Sequence, residues 1–218
     1  MNGVKIDMDK PIILGNQEQN VQPNGLKEQP DIDFQIPGVE VISELGRGVQ
    51  GAVFKVKYKG KLACAKKYFG QEEKAQKIMN NEIDMMKRAQ KSGSTPKIFA
   101  EYRSQNVIIM ELCKGKTLLD YMKEDKPSAQ DMHKIVYKLV KALAKLNQVG
   151  VIHNDLKRDN IMIQKKERIF RKHTYSIKII DFGHAKLKGA SPYPNTDAER
   201  IKRFKQLDPA LANGGPCS

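Results

Sequence analysis

The clearest pattern of apolar and polar positions in the 218-residue chain lies between residues 128 and 148. Apolar side chains recur there every three or four positions, the spacing that places side chains on one face of an α-helix. Ser128 and Asp131 are typical of a helix start, because such side chains bond the free N–H groups of the first turn. We predict a helix whose buried stripe is Met132, Ile135, Val136, Leu139, Leu143 and Leu146.

A second helical pattern, at residues 71–90, places a carboxylate among apolar side chains. The apolar members of its inner face are Ala75, Met79, Met86 and Ala89. Glu82 lies on that same face. A carboxylate that faces a protein core needs a cationic partner, because an unpaired buried charge is strongly destabilising. The alternative is a solvated glutamate at the edge of the stripe.

Five stretches outside these helices alternate apolar and polar residues or are rich in β-branched residues, which predicts β-strands. They fall at residues 39–45, 53–58, 62–66, 97–102 and 106–112. We predict that they form an antiparallel five-stranded sheet which, with the helix at 71–90, makes a lobe at residues 38–113. After Lys114 and Gly115 a second, mainly helical lobe is expected at residues 114–218, with a short helix at 118–123. The expected fold class is therefore α+β.

The first 37 residues are rich in Asn, Gln, Asp, Pro and Gly and show no sustained apolar period. We predict a mobile, disordered tail at residues 1–37, and the alternative is a docking or regulatory segment. Residues 164–173 are strongly basic and separate two short apolar runs. We predict a solvated hairpin tip there, longer than a tight hairpin, and the alternative is a contact for an acidic partner.

Hydropathy, net charge and cysteine content indicate the location of the protein and the kind of partner that it binds. No stretch is apolar for long enough to span a membrane, and the N-terminus lacks the apolar run of a signal peptide, so we expect no membrane partner and an intracellular, cytoplasmic location. The net charge of +14 suits an acidic protein substrate or partner, which we favour over nucleic acid. Three cysteines, without metal-ligand spacing, are expected to be reduced thiols: Cys64, Cys113 and Cys217.

The chemistry-bearing stretch is the segment His153-Asn154-Asp155-Leu156-Lys157-Arg158-Asp159-Asn160, which precedes Asp181-Phe182-Gly183 by about twenty residues. It lies between short apolar runs and so reads as a loop that two small strands hold in place. These motifs resemble those of the eukaryotic-type protein kinase family. The resemblance implies that Asp155 accepts a hydroxyl proton, that Lys157 neutralises the transferring phosphate, and that Asn160 and Asp181 hold Mg²⁺ with oxygen ligands.

Three upstream motifs extend the resemblance over residues 40–211. Gly46, Gly48 and Gly51 resemble the kinase glycine-rich loop, and a strand pattern follows them, which argues against a dinucleotide-binding fold. Lys66 takes the position of the phosphate-binding lysine and is the expected partner of Glu82. The resemblance implies an ATP pocket whose base-binding residues are Val53, Cys64, Met110, Glu111, Cys113 and Met162. For Cys64 we favour a buried thiol that acts as a small hydrophobe.

The resemblance implies a bilobal fold with ATP and Mg²⁺ as cofactors, and within the family Lys157 favours a serine/threonine protein kinase over a tyrosine kinase. The alternatives are a pseudokinase or nucleotide-binding scaffold without turnover and a small-molecule phosphotransferase. Asn154 stands where regulated kinases carry an arginine that grips a phosphorylated activation loop. We therefore expect that phosphorylation of Ser191, Tyr193 or Thr196 is not required.

The end of the chain departs from the family. Residues 207–211 resemble the motif that closes the activation segment, with Ala210 in place of glutamate, and no pattern for the later helices follows. Either the chain is a fragment or it is a minimal kinase. Without those helices we expect the stripe of Leu139, Leu143 and Leu146 to be bare, and the protein to be marginal, self-associated or dependent on a partner. The exception would be a tail that folds back, with a short helix at 200–205.

Overall fold

The computed structural model describes residues 34–168, 171–190 and 196–206 as two lobes, each with its own sheet. The predicted α+β bilobal fold is confirmed. Within the described part of the chain, no helix is both long and apolar enough to cross a membrane. Residues 1–33 of the predicted tail, the phosphorylation positions Ser191 and Tyr193, the closing motif at 207–211 and Cys217 lie outside the described residues.

The first lobe is built on an antiparallel five-stranded sheet, as predicted. Its strands are β1 (Val39–Gly48), β2 (Gly51–Tyr58), β3 (Lys61–Tyr68), β4 (Ile98–Tyr102) and β5 (Val107–Met110). The order across the sheet is β1-β2-β3-β5-β4. Side chains alternate between its faces, so Lys66 and Cys64 point to one side and Ala63 and Ala65 to the other. The sheet therefore separates an inner core from an outer core.

The helix α1 (Glu72–Ala89) packs on the inner face of this sheet. Its buried residues include every member of the predicted stripe and also Glu82. Acidic side chains in its first turn and basic ones in its last complement the helix dipole. The 3.6-residue period thus located both the helix and the buried carboxylate.

The predicted boundary of the N-terminal tail at residue 37 is wrong. Phe34 and Ile36 are each 5% exposed and pack in the outer core, where the ring of Phe34 meets that of Phe54 edge-on at 5.6 Å. Gln35 exchanges two hydrogen bonds with the side chain of Gln105. Two apolar residues are too few to show a period, so the sequence pattern gave no sign that residues 34–37 belong to the lobe.

The second lobe centres on the long helix α3 (Ala129–Gln148), whose N-terminus Ser128 caps by accepting from Asp131 N. Before it, α2 (Leu118–Asp120) continues into a wide helical turn at Tyr121–Asp125. A three-stranded sheet of order β6-β8-β9 packs on this lobe, formed by β6 (Lys116–Thr117), β8 (Ile161–Arg168) and β9 (Arg171–Ile179). Two two-residue strands, β7 (Val151–Ile152) and β10 (Lys186–Leu187), pair with each other.

The hairpin predicted at residues 164–173 is present, with residues 165–167 exposed, and most of it is formed by the paired strands β8 and β9. The two strands stay paired from Ile161 opposite Ile179 to Arg168 opposite Arg171. Tyr175 is buried against α3, its hydroxyl lies 3.0 Å from that of Tyr121, and His173 Nε2 lies 2.6 Å from Asp131 Oδ1. The basic composition obscured this alternation of inward and outward positions.

The leucine stripe on α3 is not bare, because the stated exception holds: the segment with the short helix predicted at 200–205 folds back over it. Leu139, Leu143 and Leu146 are at most 3% exposed. The helix α4 (Thr196–Gln206) packs near α3, with Phe204 buried in the same core and Ile201 partly buried against it. Charge made this segment look like a poor cover, but Ile201 and Phe204 lie three positions apart and so share one face of α4. The stripe therefore gives no reason to expect a partner or self-association.

Candidate active site

The ammonium group of Lys66 lies at the centre of the cleft between the lobes and bonds two carboxylates. Its Nζ lies 2.9 and 2.7 Å from the two carboxylate oxygens of Glu82 and 2.9 Å from Asp181 Oδ1. The predicted pair of Lys66 and Glu82 is therefore present. It joins the middle of β3 to the middle of α1 and to the segment that follows β9, so three separate elements meet at one cation.

Electrostatics keep this cluster charged. Burial by itself would lower the pKa of Lys66, but the charges of Glu82 and then Asp181 outweigh it, and the pKa lies above its ordinary value. For Asp181, burial would raise the pKa, yet the nearby Lys66 ammonium holds it below the usual value. An ammonium group that stays charged at neutral pH can bind an anionic ligand such as a phosphate group.

The segment from His153 to Asn160 forms a loop between β7 and β8, as predicted. Asp155 N donates to His153 O at 2.8 Å, a three-residue turn whose central residue Asn154 has φ 61°. The ring of His153 is fully buried, packs edge-on against Phe182 at 4.9 Å, and bonds Ile180 O through Nε2 at 3.0 Å. Burial lowers the pKa of His153, so the neutral ring donates from Nε2 and fixes the loop to the strand end beside Asp181.

Three of the predicted site residues lie together on this loop. Lys157 Nζ lies 3.1 Å from Asp155 Oδ2. Asn160 Nδ2 donates to Asp155 O at 2.8 Å and to Asp155 Oδ2 at 3.1 Å. Since its amide nitrogen is occupied by Asp155, Asn160 has its amide oxygen to offer to another group. One carboxylate, on Asp181, and one amide oxygen form a set of hard oxygen donors, which fits Mg²⁺.

Asp197 on α4 holds the same loop from below, and the sequence reading missed it. Its two carboxylate oxygens accept from His153 N at 2.8 Å and from Asn154 N at 3.2 Å. Arg200, one turn later, donates from Nη1 to Leu156 O at 2.7 Å. An acidic residue in the first turn of a helix is usually explained by the helix dipole, so the sequence offered no separate signal for this contact.

Asp181-Phe182-Gly183 is fixed to both lobes. Asp181 has φ 63°, a left-handed conformation, and Phe182 is fully buried. Asn81 on α1 donates from Nδ2 to Gly183 O and to Ala185 O, each at 3.3 Å. These contacts hold the backbone on either side of Phe182 in place, and the Asp181 carboxylate bonds Lys66 while its side chain stays 38% exposed.

Packing requires only one of the three glycines of the first hairpin. At Gly51 an added Cβ would lie 2.1 Å from Lys67 O, so only glycine fits between β2 and β3. At Gly46 and Gly48 an added Cβ would meet no atom within 4 Å, so protein packing does not require glycine there. Leu45, directly before Gly46, is 51% exposed.

The residues expected around a nucleotide base lie along the inner face of the sheet and the connection to the second lobe. Cys64 and Met110 are opposite each other on β3 and β5 and are almost fully buried, and Val53 is half-buried beside them. Burial raises the pKa of Cys64 and of Cys113 to about 12, so both are neutral thiols at physiological pH. The Glu111 side chain accepts from Lys178 Nζ at 3.1 Å. Met162 lies half-buried on β8.

A family model described as "Protein kinase domain" matches residues 39–199, which is most of the chain. The chain therefore belongs to the protein kinase domain family. Curated relatives carry the same assignment. The chain is 26% identical over 175 residues to serine/threonine-protein kinase AKL1 of Saccharomyces cerevisiae, an alignment that covers 66% of this chain and 15% of that protein.

Two further matches have different coverage. Cyclin-dependent kinase-like 1 of Caenorhabditis elegans is 28% identical over 174 residues, which cover 76% of this chain and 47% of that protein. The chain thus spans less than half the length of either relative. Among solved structures, the crystal structure of the PF14_0431 kinase domain matches with a TM-score of 0.58 and 21% identity, over 71% of this chain and 53% of that one. This likeness shows the fold.

Proposed function

We propose that the chain binds ATP with Mg²⁺ and transfers the terminal phosphate group to serine or threonine hydroxyl groups of protein substrates. The observation that carries the proposal is the bonding of Lys66 Nζ to Glu82 and Asp181 together, at 2.7 and 2.9 Å. This arrangement joins both lobes in one charged cluster beside the loop that carries Asp155. Membership of the protein kinase domain family and the serine/threonine kinase relatives support it.

Each residue of the cleft has a chemical task in this proposal. Lys66 binds phosphate oxygens, and Glu82 keeps its ammonium group in place. Mg²⁺, when bound by Asp181 and the Asn160 amide oxygen, supplies positive charge against the phosphates. Leu45, Val53, Cys64, Met110 and Met162 provide the apolar surfaces for the base, and the backbone of Glu111 and Cys113 provides its hydrogen bonds. The glycines at 46 and 48 let the backbone approach the phosphates.

In the transfer step, the substrate hydroxyl oxygen forms a bond to the terminal phosphorus, and the bond from that phosphorus to the bridging oxygen of ADP breaks. Asp155 accepts the hydroxyl proton. Lys157, 3.1 Å from Asp155 Oδ2, is close enough to neutralise charge on the phosphate that is transferred. The net charge of +14 favours substrates with acidic residues around the acceptor hydroxyl.

Transfer of radiolabelled phosphate from ATP to a generic protein acceptor tests the proposal. Asp155→Asn removes the proton acceptor and is expected to lower kcat at least about 100-fold while nucleotide affinity stays within about twofold. Asp181→Asn should abolish transfer, because it removes a carboxylate ligand of Mg²⁺. Asp84→Asn, an exposed carboxylate on α1, is the matched control. Tight ATP binding by the parent chain without transfer would instead identify a scaffold, and equal activity of Asp155→Asn and the parent would exclude this catalytic role.

A further inference from the structure

Gln50, at the tip of the hairpin between β1 and β2, has its side chain near the ion-pair cluster around Lys66. A Cβ atom built onto Gly183 would lie 3.3 Å from Gln50 Oε1 and 3.5 Å each from Asp181 Oδ1 and Glu82 Oε2. Side chains from three elements therefore converge at Gly183. Both carboxylates also bond Lys66, so Gln50 is the neutral polar group beside this charged cluster.

The backbone at Gln50 is fixed, which sets the direction of its side chain. Gln50 O accepts from Phe69 N at 3.0 Å, and the next residue, Gly51, pairs with Tyr68 where no side chain other than hydrogen fits. Val49, one residue earlier, is 99% exposed. The two residues at the tip thus differ: Val49 points to solvent and Gln50 points into the cleft.

The position of Gln50 along β3 indicates which part of a nucleotide it would meet. Three alternate residues of β3 face the inner side of the sheet: first Cys64, at the end nearest the base, then Lys66, then Tyr68. Tyr68 pairs with Gly51, the residue that follows Gln50. Each step of two residues is about 7 Å along a strand. The base, the inner phosphates and the end of the phosphate chain would therefore follow one another from Cys64 to Gln50.

The amide group of Gln50 has suitable donors for the end of the phosphate chain. A primary amide carries two N–H donors, and rotation about its last bond can present them in place of its oxygen. Hydrogen bonds to a charged acceptor are stronger than those between neutral groups. A neutral donor adds no charge to a cluster in which Glu82 and Asp181 already oppose Lys66. A carboxylate at this position would repel both those groups and a phosphate.

We propose that Gln50 is a specificity-determining residue whose side-chain amide donates a hydrogen bond to the terminal phosphate of a nucleoside triphosphate, so that the cleft binds the triphosphate in preference to the diphosphate. The inference rests on the proposed function, since it takes the ligand of Lys66 to be a nucleotide. The proposed contact is made by a side chain, and it adds to the close approach of the backbone to the phosphates that Gly46 and Gly48 allow.

Calorimetric titration of the full chain with Mg-ATP and separately with Mg-ADP tests this inference. Gln50→Met keeps the length and shape of the side chain but removes its donors, and is expected to weaken ATP binding about tenfold, the effect of one hydrogen bond to a charged group, with ADP binding changed by less than about twofold. Gln50→Glu should weaken ATP binding further. Val49→Ala, on the same tip, should change neither.

Equal weakening of ATP and ADP binding by Gln50→Met, or no weakening of either, would overturn the inference. Gln50→Ala repeats the test with a smaller side chain if Gln50→Met does not fold. A parent chain that prefers ATP, loses the preference in Gln50→Met and yet transfers no phosphate would leave the inference standing and overturn the proposed function. A parent chain that binds neither nucleotide would overturn both.

Discussion

At the scale of single residues, the catalytic loop depends on one carboxylate outside it. Asp197 accepts from two consecutive backbone N–H groups, at His153 and Asn154, and these fix the turn that presents Asp155. A donor left without its acceptor in a buried position costs about 1–3 kcal/mol. Because these donors belong to the backbone of the loop, the effect of losing Asp197 should be on the geometry of Asp155.

We therefore expect Asp197→Ala to lower kcat about 10- to 100-fold and to leave the KM for ATP within about threefold, because the nucleotide contacts lie on other elements. Steady-state phosphoryl-transfer kinetics measure this split. Asp197→Asn, which keeps one oxygen acceptor, should recover part of kcat, and Glu199→Ala, an exposed acidic residue on the same helix, serves as the control. An equal rise in KM and fall in kcat would indicate general unfolding instead of a positioning role.

Residue-scale prediction from the sequence succeeded where a local rule required a partner. Glu82 on an apolar stripe demanded a cation, and Lys66 meets it. It did not locate Asp197 or the position of Gln50, because the groups near them are distant in the sequence and no periodic pattern marks either residue. For Cys64 the expectation of a buried, small hydrophobe is confirmed by its 9% exposure.

At the scale of elements, the extended hairpin of β8 and β9 is attached to the start of α3 by a hydrogen bond between side chains. Asp131 Oδ1 lies 2.6 Å from His173 Nε2, and Asp131 also accepts from Ser128 and Lys134. Burial would raise the pKa of Asp131, but these donors lower it to about 2. The same side chain therefore starts a helix and fixes a strand of the neighbouring sheet.

The lowered pKa of Asp131 makes the stability of this lobe dependent on pH. A group with a depressed folded-state pKa stabilises the fold above its unfolded pKa, near 4, and loses that contribution as pH falls through about 2. We expect this contribution of Asp131 to the free energy of unfolding to be about 1 kcal/mol, because solvent screens part of the interaction. Denaturant unfolding of the parent between pH 5 and 2 should show this loss, relative to Asp131→Asn, which lacks the titrating group. Identical slopes for both proteins would contradict the assignment.

Element boundaries show what a periodic pattern can and cannot supply. The predicted helices at 71–90 and 128–148 agree with α1 and α3 to within one residue at each end, because many turns repeat one pattern. The hairpin predicted at 164–173 is present, but the sequence did not show that its strands stay paired to Arg168 and Arg171, because basic residues dominate both of them. The predicted tail boundary failed at Phe34 because a short segment has too few positions to reveal a period.

At the scale of the whole molecule, the stripe of α3 is covered by the β8–β9 sheet and by α4, so the described residues form a continuous core in the second lobe. Phe204, 7% exposed, is the large apolar contribution of α4. The earlier expectation of a bare stripe would have required several exposed leucines. With the stripe buried, stability should depend on α4 as strongly as on any core element.

We expect Phe204→Ala to lower the free energy of unfolding by about 3 kcal/mol, the usual effect of removing a buried aromatic ring. Phe99→Ala provides a matched control, since Phe99 is 48% exposed and its removal should cost under about 1 kcal/mol. Denaturant unfolding with light scattering measures both quantities. Aggregation of Phe204→Ala but not of Phe99→Ala would agree with exposure of the α3 stripe when α4 is released. Equal, small effects of the two substitutions would show that α4 does not contribute to the core in solution, and would restore the expectation that the stripe needs a partner.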